Sequence, residues 1–194
     1  MNYEAKKYDS LVGMTGFSDQ LLKNHFTLYE GYVANTNKIS VLLKEMTVTE
    51  KIATPEYAEL KRRFGWEYNG MRLHELYFGN MTTGGKKLDQ NSPLAKKIVE
   101  EFGSVEQWES DFRSTGTMRG IGWVVLSHDK VSGKLFNVWI NEHDVGHLAG
   151  ATPILVLDVF EHAYMLDYGL KKADYITTFM NAVDWGEAEK RYKP

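Results

Sequence analysis

The run Asp158-Val159-Phe160-Glu161-His162-Ala163-Tyr164 constrains this chain more than any other stretch. It follows Ile154-Leu-Val-Leu157, a short and wholly apolar strand that ends on the carboxylate of Asp158. A carboxylate in that position is costly to bury without a partner. His162, four residues further on, reaches the same point if the chain turns at Phe160. Two more histidines, His25 and His74, lie upstream on the apolar faces of helical sequence. One Asp with three His is a donor set for a first-row transition metal, and facing helices can aim such side chains at one point. A plainer reading stands beside this one. A strand-end Asp also caps helices, and a lone buried His also bonds a backbone carbonyl. The four residues come from three distant segments, and spacing alone does not bring them together.

The chain has no cysteine, which excludes disulfides, thiolate metal sites and thiol nucleophiles, so any metal must be held by nitrogen and oxygen. Its 194 residues, 43% hydrophobic and 13% aromatic, suffice for a core, as one domain or as two small layers sharing an interface. A net charge of −3 without a long basic run argues against nucleic acid as a partner. No apolar stretch approaches membrane-spanning length, and the start MNYEAKKYDS lacks the apolar segment of a signal peptide. A cytoplasmic protein without a membrane partner is the expectation.

From about Phe17 to Met46 the apolar spacing through Leu21, Leu22, His25, Leu28, Tyr29, Tyr32 and Val33 predicts a helix. Thr54-Pro55 opens a second, which runs through Tyr57, Leu60, Phe64, Tyr68, Met71 and His74 to Phe78. The two form a long antiparallel pair. The polar, glycine-bearing stretch from Met81 to Ser92 is the best boundary, which divides the chain into 1–83, a helical hairpin, and 84–194, an α/β unit. Ser92-Pro93 starts a helix that ends at Phe102-Gly103, and Ser104-Val-Glu-Gln107 is a capping-box pattern for the next. Strands are predicted over 122–127, 134–140 and 154–158, with helices from Glu161 and from Ala173 to the end. The fold class is α+β: a hairpin, then a small three-stranded antiparallel sheet surrounded by helices, with the metal site between the two parts.

Several segments, in order, resemble the iron/manganese superoxide dismutase family. Asp158 to Tyr164 is similar to its signature D-x-W-E-H-A-Y, and His25 to Asn37 to its first ligand helix, H-x-x-x-H-H-x-x-Y-V-x-N-x-N. His74 resembles the second ligand, Phe102 to Trp108 matches F-G-S-x-E-x-[FW], and Gly120 to Trp123 matches G-x-G-W. Tyr175, Trp185 and Arg191-Tyr192 match the closing helices. The resemblance covers about Ser18 to Tyr192. It implies disproportionation of superoxide to dioxygen and hydrogen peroxide at one Mn or Fe ion, with His25, His74, Asp158 and His162 as ligands and a metal cycling between +3 and +2. It implies Tyr32 as the residue guarding the substrate funnel and His143 as the group tuning metal-bound solvent. Tyr29, Trp123, Phe160 and Glu161 surround the ligands. Glu161 implies a homodimer through the Glu161-His162 region, because in the family it bonds the partner's ligand histidine.

The chain departs from the family pattern at four places. His25 and Tyr32 are seven residues apart where the family has eight. Seven steps of about 100° return nearly to the same face, so an undistorted helix can present both. The family histidine four after the ligand is Tyr29, the Tyr that bonds it across the dimer is Met165, and the Trp between Asp158 and His162 is Phe160. The paired change at Tyr29 and Met165 suggests a rebuilt relay. Gly70, where the family's iron enzymes tend to carry Gln, with His143 as the donor, is a pattern that leans to manganese or to use of either metal. The alternative reading is a metal-binding protein of the same fold with little dismutase activity, in storage, sensing or assembly.

Overall fold

The computed structural model describes residues 2–193. Among these, the chain forms seven α-helices and a three-stranded sheet, the α+β architecture expected. Helix α1 (Asp19–Val48) and helix α2 (Pro55–Gly79) make the hairpin. Ser18 Oγ accepts the Leu21 N–H, so α1 starts close to the expected Phe17, and Thr54 Oγ1 accepts the Tyr57 N–H, so α2 starts where its cap was read. Buried positions on α1 are Leu21, Leu22, His25, Tyr29, Tyr32, Val33, Thr36 and Ile39. Their spacing of three, four and seven makes one stripe, and α1 is an uninterrupted α-helix through His25 and Tyr32. The seven-residue spacing is thus met by ordinary winding. On α2 the buried set begins at Glu67, so the loop end of the hairpin packs chiefly on itself.

Helices α3 (Pro93–Phe102) and α4 (Val105–Thr117) follow, capped by Ser92 and Ser104. Strands β1 (Gly122–Asp129), β2 (Lys134–Asn141) and β3 (Thr152–Asp158) form an antiparallel sheet in the order β2-β1-β3. The register pairs Trp123 with Ile140 on one side and with Asp158 on the other. The start of β1, the exit of β2 and the end of β3 therefore converge at one end of the sheet, against α2. Gly122 is required there: its φ is +147°, and a Cβ would strike the Ile140 carbonyl.

The expected helix from Glu161 is instead a 3-10 turn (Glu161–Ala163) and a single turn α5 (Met165–Tyr168), which Gly169 ends at φ +53°. The last helix is likewise two, α6 (Lys172–Ala182) and α7 (Trp185–Arg191). Val183 between them is extended and pairs with Met81, and the Asp184 N–H donates to Asn80 O, so the chain leaves the helical ladder to pair with the end of α2. One apolar core, including Leu22, Tyr77, Phe112, Trp123, Leu157 and Phe179, runs through hairpin and sheet. Each fully buried large side chain contributes about 1.5–3 kcal/mol. No helix among the described residues is long and apolar enough to cross a membrane.

Candidate metal centre

His25 and His74 project from facing turns of α1 and α2, Asp158 ends β3, and His162 follows in the 3-10 turn. The structure brings all four together, with one nitrogen or oxygen from each within 4.8 Å of the others. His25 Nε2 and His162 Nε2 lie 3.2 Å from Asp158 Oδ2, and His74 Nε2 lies 3.6 Å from it. His25, His74 and Asp158 are buried, while the His162 side chain keeps 28% of its surface. Asp158 Oδ1 accepts the Phe160 N–H at 2.8 Å, which leaves Oδ2 facing the imidazoles; the residue at the N-cap of the following 3-10 turn is Phe160, not Asp158. Tyr175 O–H donates to the Asp158 carbonyl at 2.7 Å.

Burial pushes the His25 and His74 imidazoles down, His74 strongly, and so keeps them neutral. Burial would raise the Asp158 carboxyl, but His162 and His25 beside it outweigh that and hold it well below the usual carboxylate range. Neutral imidazoles with an ionised carboxylate are the protonation state a metal demands. The decisive atom is His74 Nε2. His74 Nδ1 sits 2.6 Å from Gly70 O, an acceptor, so Nδ1 carries the proton. Nε2 is then a bare lone pair, buried and without a hydrogen-bond partner, directed at an ionised carboxylate. Two acceptors facing each other in a dry site are satisfied by a cation. The residues present fit a metal ion.

Tyr32 and His143 meet beside this cluster. Trp123 Nε1–H can only donate, so His143 Nδ1, 3.0 Å away, accepts, and the proton of the neutral ring lies on Nε2. His143 Nε2–H donates to the Tyr32 hydroxyl oxygen at 2.8 Å. The Tyr32 hydroxyl hydrogen is thereby left to donate elsewhere. The Tyr32 ring stacks on His74 at 5.1 Å, and Phe160 stacks on both His143 and His162. Burial first, then the Asp158 charge, raises the Tyr32 hydroxyl well above its ordinary value. In front of Tyr32 opens a cavity of about 230 Å³ lined by Leu28, Gly31, Asn35, Arg63, Trp66 and Glu67.

Burial pushes the His143 imidazole from 6.5 down to about 4, against the pull of the Asp158 charge. Between these values the unfolded chain holds a proton that the folded chain lacks. The contribution is therefore whole above pH 6.5 and is lost as pH falls towards about 4. Thermal unfolding of metal-free His143→Asn across this window is expected to lose stability less steeply with acid than the parent. Equal slopes would show that His143 titrates normally.

Tyr29 is buried but turns away from the cluster. Its hydroxyl donates to Glu75 Oε1 at 3.2 Å and accepts the Lys6 backbone N–H at 3.0 Å. Glu75 is in turn held by Arg72 Nη1 at 2.6 Å and Lys6 Nζ at 3.3 Å. Burial raises the Tyr29 hydroxyl to about 12. Glu161 and Met165 are exposed. Sequence reasoning missed Trp66, Glu142, Glu75 and Tyr77. No local motif marks them: Trp66 meets Glu142, Glu75 meets Tyr29 and Tyr77 meets Tyr175 across 76, 46 and 98 residues of chain.

Fold and cluster together define a class: an α+β protein that encloses nitrogen and oxygen donors between a helical hairpin and the end of a three-stranded sheet. Residues 90–191 match the model of the iron/manganese superoxide dismutases, C-terminal domain. The chain is 38% identical to a superoxide dismutase (Fe) of Cupriavidus metallidurans, over 92% of this chain and 90% of that protein. It is 35% identical to superoxide dismutase (Mn) 2 of Haloferax volcanii, over 100% of this chain and 96% of that protein. With a superoxide dismutase (Fe) of Aquifex pyrophilus the identity is 33%, over 98% and 91%. The chain belongs to the iron/manganese superoxide dismutase family. Both metals occur among these relatives, so membership does not choose between them.

Proposed function

We propose that this chain converts superoxide to dioxygen and hydrogen peroxide at one manganese or iron ion held by His25, His74, Asp158 and His162. The observation that carries the reading is the bare, buried His74 Nε2 facing the Asp158 carboxylate at 3.6 Å. A bound ion would supply reversible one-electron chemistry between successive superoxide molecules. The remaining work falls to the chain. Tyr32, its oxygen occupied by His143 Nε2–H, presents its hydroxyl hydrogen to an incoming anion and can pass a proton from that atom. His143, backed by the Trp123 N–H, fixes the hydroxyl's orientation. Phe160 and Trp123 wall the site against bulk water. The cavity in front of Tyr32 is the approach.

Residues 1–83 supply His25 and His74 and residues 84–194 supply Asp158 and His162, with the metal between the two parts. The exposed Glu161, followed by exposed Met165 and Leu166, supports a homodimer through the Glu161-His162 region. Manganese is the favoured metal, because Gly70 leaves the polar role to His143. Cytoplasmic action is part of the proposal. The turn of Tyr29 towards Glu75 favours a second reading, a same-fold metal-binding protein with little dismutase activity, serving storage, sensing or assembly. Dismutation by protein loaded separately with manganese and with iron, normalised to bound metal, separates the two. Rapid turnover with either metal is expected, fastest with manganese. Stoichiometric metal without turnover would overturn the enzyme reading and leave the second.

A further inference from the structure

His143 is wholly buried, yet it sits at the tip of a surface turn. Asn141 N–H donates to Val145 O at 2.7 Å and Val145 N–H returns to Asn141 O at 3.3 Å, so residues 142–144 form a tight loop. Glu142, Asp144 and Val145 around it are exposed. The sheet side of the turn is tied by Glu142 N–H to Ile121 O at 3.1 Å, by His147 Nε2 at 2.9 Å from His143 O, and by Trp123 Nε1–H to His143 Nδ1 at 3.0 Å. Glu142 moreover has φ +50°, a left-handed conformation that costs a non-glycine residue and persists where surroundings enforce it.

On the opposite side the turn is held by a contact from α2. Trp66 Nε1–H donates to Glu142 Oε2 at 3.1 Å, across 76 residues of chain. The same indole meets His143 edge-on at 4.5 Å and Tyr32 at 5.5 Å. Trp66 is itself fixed: the Arg63 guanidinium lies over its ring at 3.9 Å, and Arg63 Nε donates to the buried Glu67 at 2.9 Å. Glu67 Oε2 accepts Asn35 Nδ2 from α1 at 3.4 Å. A braced indole thus touches both members of the His143–Tyr32 pair and holds the backbone that carries one of them.

We propose that Trp66 and Glu142 are positioning residues, a latch that clamps the His143 turn to α2 and sets the His143–Tyr32 hydrogen bond. The inference rests on the roles proposed above for Tyr32 and His143. Without the latch the turn relaxes out of its left-handed conformation and the bond to Tyr32 lengthens, while the metal donors, on other elements, stay in place.

The test uses the full chain loaded with manganese, oxidised, and titrated with azide, read from the visible spectrum. The imidazole N–H proton signals of the metal-free chain are recorded alongside. Trp66→Phe keeps the ring and removes the donor, and Glu142→Gly removes the acceptor while relieving the backbone. Glu142→Gln keeps an acceptor, and His143→Asn, too short to reach Tyr32, is the reference. Trp66→Phe and Glu142→Gly are expected to change the azide dissociation constant by about three- to tenfold, in the direction set by His143→Asn, with undiminished metal content. The protected His143 N–H signal should broaden or vanish in both, and Glu142→Gln should restore parent behaviour. If His143→Asn moves azide binding but Trp66→Phe and Glu142→Gly do not, the latch is overturned and the role of His143 stands. If His143→Asn itself leaves azide binding and turnover unchanged, the role of His143 fails and the latch falls with it.

Discussion

Asp158→Ala is expected to abolish stoichiometric metal binding and, with it, dismutation. Asp158 Oδ2 is the one atom that all three imidazole nitrogens approach, at 3.2, 3.2 and 3.6 Å, and it carries the only negative charge of the four donors. Loss of groups that merely support ligands typically costs 10–100-fold in metal affinity, and loss of a charged donor at the centre should exceed this. The substitution also orphans the Phe160 N–H that orients the turn bearing His162. Two measurements check it: metal content after reconstitution, and thermal unfolding with and without metal. A ligand at about 1,000 times its Kd stabilises by about 4 kcal/mol, or about 10 °C in a chain of this size. The parent should show such a rise, and Asp158→Ala should show none. Full metal content and activity in the variant would place the centre elsewhere.

Gly70→Ala is expected to reverse the usual sign of a glycine-to-alanine change. In a helix interior that change ordinarily gains up to about 1 kcal/mol. At Gly70 the added Cβ would lie 2.7 and 2.9 Å from Tyr32 Cδ1 and Cε1. The ring has no easy retreat, since it stacks on His74 at 5.1 Å and its hydroxyl is held by His143 at 2.8 Å. Overpacking of this kind costs about 1–3 kcal/mol. A fall of about 5 °C in the unfolding midpoint, with slower turnover, is the expected result. Gly65→Ala, on the same helix with nothing within 4 Å of the added Cβ, is the control and should be neutral or stabilising. If the two substitutions behave alike, Tyr32 is not packed against Gly70 as described. The same crowding gives a physical reason why α2 carries no longer side chain at this position.

Local chemistry made much of the fold legible before any coordinates. Thr54, Ser92 and Ser104 cap the helices they were expected to start, because a cap bond spans three residues and is written into adjacent sequence. The strands were readable from apolar runs that the sheet buries. Misreadings came where a distant segment competed with local preference, as at Val183, which left the helical ladder to pair with Met81.

The amino-acid sequence by itself supplied the candidate donors, a nitrogen-and-oxygen set without thiolates, and placed His25, His74 and Asp158 on helix, helix and strand end; the 3-10 turn that carries His162 was read as a helix. Tertiary structure alone decided that His74 Nε2 is bare, that Tyr29 turns to Glu75, and that Trp66 reaches Glu142. Each of these is a matter of direction between elements 46 to 84 residues apart, from Tyr29–Glu75 to His74–Asp158. Helical periodicity states which face a residue occupies; only packing states what stands opposite it.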